Sequence, residues 1–307
     1  MVISDKLINA CSNKIPVIVG PTASGKTAFA IHLAQQINGE IINVDSRQVY
    51  KGFCIGTAQP EKDELTKVKH NLVNCLDPNE IVSAGRYCEW VWNRIKKIKE
   101  ENSNPVLTGG TLLYIRSIFS GIIIETDTSC EIRNEILGRL ETEGPKKLLK
   151  ELNSIDPEYA QIVKPNDIKR LTRALEIYYQ TNEPPSKMFA KQKKNDRHLR
   201  SQYYLIELKI PRDLLKLRIR KRTQKMIANG WLEEVKSLLQ SGIDESCHPM
   251  QGLGYSQMKQ VLDGKMTIDA AESIIATKTW QFARRQLTWL KKMDCDTAIT
   301  NEELLNA

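Results

Sequence analysis

The sequence predicts an α/β protein: a parallel-sheet core flanked by helices, with an all-helical domain inserted into it. Three observations carry this. A β-branched run, Ile15 to Val19 (IPVIV), feeds a glycine loop, GPTASGKT, which opens a helical pattern. Strand-like and helix-like segments alternate through the first third of the chain, the mark of a parallel sheet with helical crossovers. After about Thr128 the signals turn helical and stay so to Arg200, after which a strand pattern returns. The expected division is a core of residues 1–127 and 201–307 around an insert of residues 128–200.

Each element has its own warrant. After Thr27, Phe29, Ile31, Leu33, Ala34 and Ile37 suit a helix lying on a sheet, and Asn38-Gly39 closes it. Glu40 to Ser46 (EIINVDS) reads as a second strand ending near Asp45. A helical pattern covers Tyr87 to Ile98, and Pro105 to Thr108 (PVLT) is a third strand running into Gly109-Gly110-Thr111. Another helix begins at Leu112. In the insert, EIRNEILGRL and DIKRLTRALEIYYQ each place apolar residues on one helical face. Pro184-Pro185 breaks the chain before a basic stretch, Lys187 to Arg200. Gln202 to Ile210 rejoins the sheet, and the remainder reads as helical, including TWQFARRQLTWLKK.

The chain has 307 residues and a formal charge of +8, so the distribution of basic residues matters more than their excess. Its seven cysteines form no C-x-x-C pair and its four histidines are scattered, which signals neither a disulfide framework nor a zinc site. No apolar run approaches the length of a membrane span. A cytoplasmic protein, away from membranes and monomeric, is expected.

The loop Gly20-Pro21-Thr22-Ala23-Ser24-Gly25-Lys26-Thr27 is a Walker A sequence and makes the core P-loop NTPase-like. Backbone N–H groups converge on phosphate oxygens, Lys26 adds charge, and the Thr27 hydroxyl is the metal ligand expected for Mg²⁺. The loop alone leaves open whether ATP, another nucleotide or a different phosphate is bound. An ATP-hydrolysing site usually adds an acidic residue after an apolar strand. Asp45 and Asp77 are candidates, but the third strand ends in Gly-Gly-Thr. In the run Lys209 to Lys225, Arg218 and Arg222 share a helix face. Arg222 is the expected phosphate contact, with Arg218 supporting it.

Six motifs occur in order: GPTASGKT, VDSRQVYKGFCIGTAQP, GGTLLYI, NDIKRLTRALEIY, LGYSQM and RRQLTWL. Together they resemble the bacterial tRNA dimethylallyltransferases (tRNA isopentenyltransferases, the IPP transferase family), from about Ile15 to Leu290. Cys54 and Gln59 depart from the pattern, where Asp and Lys are common. The resemblance implies that the loop holds dimethylallyl diphosphate rather than a nucleotide. It implies transfer of the dimethylallyl group to the exocyclic amine of the adenosine 3′ of the anticodon in tRNA, with release of diphosphate.

The same resemblance distributes roles. Asp45 is implied as the base that takes the amine proton, with Mg²⁺ ligation as its rival role. Thr111 lies beside the substrates, and Lys26 completes the catalytic set. Asp45, Ser46, Arg47, Gln48 and Thr111 are implied at the extruded base. Arg133, Lys169, Arg170, Leu171, Thr172 and Arg173 are implied contacts to the anticodon stem-loop, with Arg218 and the segment Gln251-Gly252-Leu253-Gly254-Tyr255. Competing readings are a small-molecule P-loop kinase using ATP, a non-catalytic RNA-binding P-loop protein, and prenylation of free AMP. The basic insert argues against the first and the last.

Overall fold

The structure, a computed structural model, describes residues 3–120 and 129–300, and at residues 120, 130 and 192–198 the backbone alone. After α1 (Asp5–Asn13), the β-branched run forms β1 (Ile15–Val19), with all five side chains buried. A strand with no exposed face needs cover on both sides, which is the condition for a parallel sheet. The glycine loop leads into α2 (Lys26–Gln36), followed by β2 (Gly39–Asn43), α3 (Lys62–Lys67), β3 (His70–Asn71), α4 (Ala84–Glu100), β4 (Asn104–Thr108) and α5 (Leu112–Ser120). The insert supplies α6 (Cys130–Glu143), α7 (Pro145–Ile155), α8 (Pro157–Ala160), α9 (Ile168–Thr181) and α10 (Pro185–Arg200). The chain then returns through β5 (Tyr203–Lys209), α11 (Arg212–Ala228), α12 (Trp231–Gln240), α13 (Tyr255–Leu262), α14 (Ile268–Leu290) and β6 (Thr297–Thr300).

The sheet has six strands in the order β3-β2-β4-β1-β5-β6, and every pairing is parallel. The chain passes from β1 to β2 and leaves a place between them that β4 later fills. A crevice opens beyond the carboxyl ends of strands at such a switch. Thr108 pairs with Ile18 on one side and Asn43 on the other. The loops after β1, β2 and β4 therefore leave the sheet side by side. Phe29, Ala30, Leu33 and Ala34 of α2 pack on Ile18, Ile41, Val106 and Ile206 and hold this edge rigid.

Two strand expectations change. β2 ends at Asn43 rather than Ser46, because the Val44 carbonyl turns to accept the Thr111 N–H, so Asp45 stands on a loop. The carboxyl-terminal region, read as helical, ends in β6, whose short run TAIT pairs with β5.

Of the described residues, those up to Arg116 and from Ser201 onward form one compact unit, and Ser117–Arg200 forms a second. The expected boundary at residues 127 and 128 lies outside the described residues. The division falls within α5 instead, whose Phe119 ring carries the Arg200 guanidinium at 5.8 Å.

In the second unit, α6, α7 and α9 close over Ile136, Leu148, Leu152, Leu171, Ala174 and Leu175. Asp167 caps α9 by accepting the Arg170 N–H, and Asn182, with φ 56°, ends it. The unit's charges pair internally: Glu176 accepts from Arg133 at 3.2 Å and from Arg173 at 3.0 Å. Burial raises the Glu176 pKa, but the two arginines outweigh it and hold the carboxyl below its usual range. Two expected RNA contacts are corrected here. Leu171 is fully buried core, and Thr172 is buried with its hydroxyl donating to the Ile168 carbonyl. Lys169 and Arg170 are exposed on the same helix. The side chains of Lys193, Lys194 and Arg197, in the expected basic cluster, lie outside the described residues.

Candidate active site

The phosphate loop begins where β1 runs out. Gly20 is obligatory there: a Cβ would stand 2.7 Å from the Ser24 hydroxyl and 3.1 Å from the Leu208 carbonyl. Ala23 (φ 62°) and Gly25 (φ 97°) both take the left-handed conformation, which turns successive N–H groups toward one side. For Ala23 this costs about 1 kcal/mol, strain of the kind stored at ligand sites. The Ser24 hydroxyl is buried without a hydrogen-bond partner. A buried hydroxyl without a partner in a turned loop is open to bonding by a ligand's oxygen.

Lys26 donates to the Gly20 carbonyl at 3.0 Å and the Pro21 carbonyl at 2.8 Å, so its ammonium sits within the loop. Burial pushes its pKa down to about 7, the Arg222 charge adds to the fall, and Asp45 opposes it. Arg222, on α11, reaches across to donate to the Thr22 hydroxyl at 2.9 Å. Its pKa is also lowered by burial and drawn back by Asp45. The Arg218 guanidinium lies on the same side, 3.9 Å from where a Gly25 Cβ would be. The 218/222 spacing thus turns both arginines to the loop.

Asp45 stands two residues beyond β2. Its Oδ1 accepts the N–H groups of Arg47 at 2.8 Å and Gln48 at 3.3 Å, a local turn that fixes the carboxylate. Its Oδ2 faces Gly110, where a Cβ would come within 3.0 Å. At Gly109 a Cβ would overlap the Val44 carbonyl, so the Gly-Gly pair lets the β4 loop close on the β2 loop. Thr111 secures that closure: its hydroxyl accepts the Ser46 N–H at 3.0 Å and donates to the Ser46 hydroxyl at 3.2 Å.

One residue that sequence reasoning missed joins these parts. Gln286, buried on α14, accepts the Thr22 N–H at 2.8 Å and donates to the Gly110 carbonyl at 2.8 Å. A single amide thereby spans the phosphate loop and the Gly109-Thr111 loop. The only signal in the sequence is its place inside the RRQLTWL motif.

The remaining expected contacts divide. Arg47 is held by the His248 carbonyl at 2.6 Å. Gln48 donates its amide to the Thr57 and Ala58 carbonyls, so its NH₂ is spent on the chain's own loop. Gln59 locks the same loop by donating to the Gln48 and Tyr50 carbonyls. Gln251 is exposed and donates to the Glu245 carbonyl, and Leu253 is exposed. Gly252 and Gly254 are buried, and Tyr255 is 2% exposed with its hydroxyl on Glu234. The Tyr255 side chain is therefore packing, which corrects its expected place among the RNA contacts. Gly254 and Gly56 flank the buried Trp231 ring, which either Cβ would overlap. Asp77 is exposed and accepts the Asn79 N–H within its own turn.

The described residues hold no group of three or more His, Cys, Asp or Glu suited to a metal ion. The site is instead cationic on its phosphate side, with one carboxylate across from it. That arrangement can hold a diphosphate, support its departure and receive a proton.

Comparison with known proteins places the chain in a family. The IPP transferase family model matches residues 48–293. The chain is 41% identical over 283 residues to a tRNA dimethylallyltransferase of Carboxydothermus hydrogenoformans, covering 92% of this chain and 90% of that protein. It is 37% identical over 284 residues to that of Acetivibrio thermocellus, covering 92% and 90%. A crystal structure of tRNA Δ(2)-isopentenylpyrophosphate transferase from Staphylococcus epidermidis superposes with TM-score 0.66 at 35% identity, over 94% of this chain and 93% of that one. A eukaryotic dimethylallyltransferase acting on tRNA superposes with TM-score 0.79 at 29% identity, over 94% and 74%. Matched by the family model over most of its length and by relatives of this similarity almost end to end, the chain belongs to the IPP transferase family.

Proposed function

We propose that the chain transfers a dimethylallyl group from dimethylallyl diphosphate to the exocyclic amine of the adenosine 3′ of the anticodon in tRNA. The observation that carries this is Asp45: one oxygen held by two backbone N–H groups, the other turned to the glycine junction, and its charge felt by both Lys26 and Arg222. A phosphate loop facing a fixed carboxylate suits a reaction that expels a phosphate and removes a proton.

The amine nitrogen attacks the first carbon of the allyl group as the carbon–oxygen bond breaks. The bonding pair leaves with the diphosphate. Loop N–H groups, Lys26 and Arg222 lower the energy of that departing charge. The amine's lone pair is delocalised into the purine, so its proton must be taken as the bond forms, and Asp45 Oδ2 receives it. Thr111 keeps the two loops together through Ser46.

Thr27, half-buried at the start of α2, offers a hydroxyl oxygen of the hard donor class that Mg²⁺ takes. The Thr27 hydroxyl would hold it beside the diphosphate, and when bound it would supply further positive charge. With Oδ1 fixed by two backbone N–H groups, Asp45 keeps Oδ2 free to act as the base. On the RNA side, exposed Lys169 supplies charge from the insert, while Arg133 and Arg173 share theirs with Glu176 and Arg170 shares its own with Asp167. Such contacts give strongly salt-dependent affinity. No helix among the described residues is long and apolar enough to cross a membrane, and the described cysteines are free thiols, which supports a cytoplasmic site of action.

The test is direct. Protein, Mg²⁺, labelled dimethylallyl diphosphate and unmodified tRNA are incubated, and label is sought in the RNA. Transfer lost in Lys26→Ala and Asp45→Ala supports the assignment. Normal transfer by both variants would overturn it.

A further inference from the structure

Glu233 and Glu234 are neighbours on α12, yet only one of them meets the rest of the chain. Glu233 is exposed, whereas Glu234 is half-buried and faces the loop from Cys54 to Gln59. Its Oε2 accepts the N–H groups of Cys54 at 2.9 Å and Ile55 at 2.7 Å, and its Oε1 accepts that of Gly56 at 3.3 Å. The Tyr255 hydroxyl donates to the same Oε1 at 2.7 Å. Three consecutive backbone N–H groups turned to one point form a concavity suited to an anion. Here the chain supplies the anion itself, from a side chain at least 178 residues away.

The carboxylate is aimed by its surroundings. Trp231 lies one turn before Glu234 on the same face of α12. Its buried ring fits against Gly56 and Gly254, where a Cβ at either would overlap it. Tyr255 packs on Trp231 and on Phe53, with ring centroids at 5.7 and 4.9 Å.

A chain of bonds runs from Glu234 to Asp45. The far end of the loop, Thr57 and Ala58, offers carbonyls to the Gln48 amide at 3.1 and 2.7 Å. Gln59 donates back to the Gln48 carbonyl at 2.8 Å. Gln48 is thus gripped at its side chain and its carbonyl, and its own N–H is one of the two that hold Asp45 Oδ1.

We propose that Glu234 is a positioning residue for the transfer reaction: by seating the loop from Cys54 to Gln59 it sets the orientation of the Asp45 carboxylate through Gln48. The proposal rests on the prenyl-transfer reading above. It requires no contact between Glu234 and either substrate. A carboxylate base works only within hydrogen-bond reach of its proton, and a displacement of about 1 Å can cost roughly a hundredfold in rate. Without Glu234, three N–H groups and a hydroxyl lose their acceptor. They recover hydrogen bonds by moving toward water, which shifts the loop that grips Gln48.

The experiment is a double-mutant cycle on the transfer of labelled dimethylallyl groups to tRNA. Glu234→Leu keeps most of the side chain's volume and removes its acceptors. Glu234→Gln keeps one acceptor oxygen, which can still serve Cys54 and Ile55. With Asp45 in place, kcat should fall about 10- to 100-fold for Glu234→Leu and by a smaller factor for Glu234→Gln. KM for dimethylallyl diphosphate should stay at the wild-type value, because Gln286 and Lys26 hold the phosphate loop separately. In an Asp45→Asn background, where the base is already gone, either variant should change the single-turnover rate by less than about twofold. Thermal denaturation checks folding, and Glu234→Gln alone carries the cycle if Glu234→Leu does not fold. Wild-type kcat in folded Glu234→Leu, or in Glu234→Gln where it alone folds, would overturn the proposal. So would an equal fold-loss with and without the Asp45 carboxylate, which would mark Glu234 as a support of the fold only. A wild type that transfers no label would overturn the prenyl-transfer reading and this proposal with it.

Discussion

Replacing Gln286 by Leu removes both ends of the amide that joins Thr22 to Gly110 while keeping most of the side chain's volume. The Thr22 N–H and the Gly110 carbonyl, each bonded at 2.8 Å, lose their partner in a part-buried setting. Leaving such a group unsatisfied costs about 1–3 kcal/mol. Two of them, partly relieved by water, give about 2–4 kcal/mol. That cost falls on the alignment of the phosphate loop with the loop bearing Thr111, since α14 keeps its packing through Ala283 and Leu290. At about 1.4 kcal/mol per tenfold, kcat/KM for dimethylallyl diphosphate should fall roughly 30- to 800-fold. The assay is steady-state transfer of labelled dimethylallyl groups, varying each substrate in turn, with thermal denaturation run in parallel. Gln286→Glu keeps the acceptor for Thr22 but sets a carboxylate oxygen against the Gly110 carbonyl, so it should recover diphosphate binding and not kcat. Wild-type kcat and KM in a folded Gln286→Leu protein would refute the reasoning.

Three further outcomes follow from the same site. Asp45→Asn should cut kcat by about 10²–10⁴, the usual contribution of a positioned base, while inorganic diphosphate still binds in calorimetry. Lys26 has a folded pKa near 7, below the ordinary 10.5, so the unfolded chain holds the extra proton between those values. Its contribution to stability therefore rises with pH across that window and falls toward pH 7. Diphosphate restores the charged form, so binding at pH 8 should take up a proton, read by calorimetry in buffers of different ionisation enthalpy, and Lys26→Met should abolish that uptake. Gly109→Ala forces a Cβ into the Val44 carbonyl and should cost at least about 2 kcal/mol in chemical denaturation.

The parts of the fold written as local patterns were readable in the sequence. The phosphate loop is one, because its glycines answer to nearby backbone and its lysine to the loop carbonyls. β1 is another, because a strand buried on both faces must be continuously apolar. Asp45 and the Gly-Gly pair could be expected at one edge because parallel strands end together. Gln286 could not be found this way. Nothing in its neighbours distinguishes a glutamine that clasps two loops from one facing water, and its partners lie more than 170 residues away. Glu234, which accepts the N–H groups of Cys54 and Ile55, is hidden for the same reason. Leu171 and Tyr255 show the opposite error. A motif can be retained for what it packs, and both side chains turn inward to cores rather than out to RNA. β6 was missed because four residues of mixed polarity carry no period.

The pairing of β1 with β5 joins Ile15 to Tyr203 across the whole insert. During synthesis, at roughly 5–20 residues per second, β5 leaves the ribosome about 10–40 s after β1. For that interval β1 has a naked edge, the surface along which nascent chains stick to one another. The insert has time to fold alone while the older half waits. Arg222 and Gln286 emerge later still, so the growing chain has no competent catalytic pocket until its final helices are made.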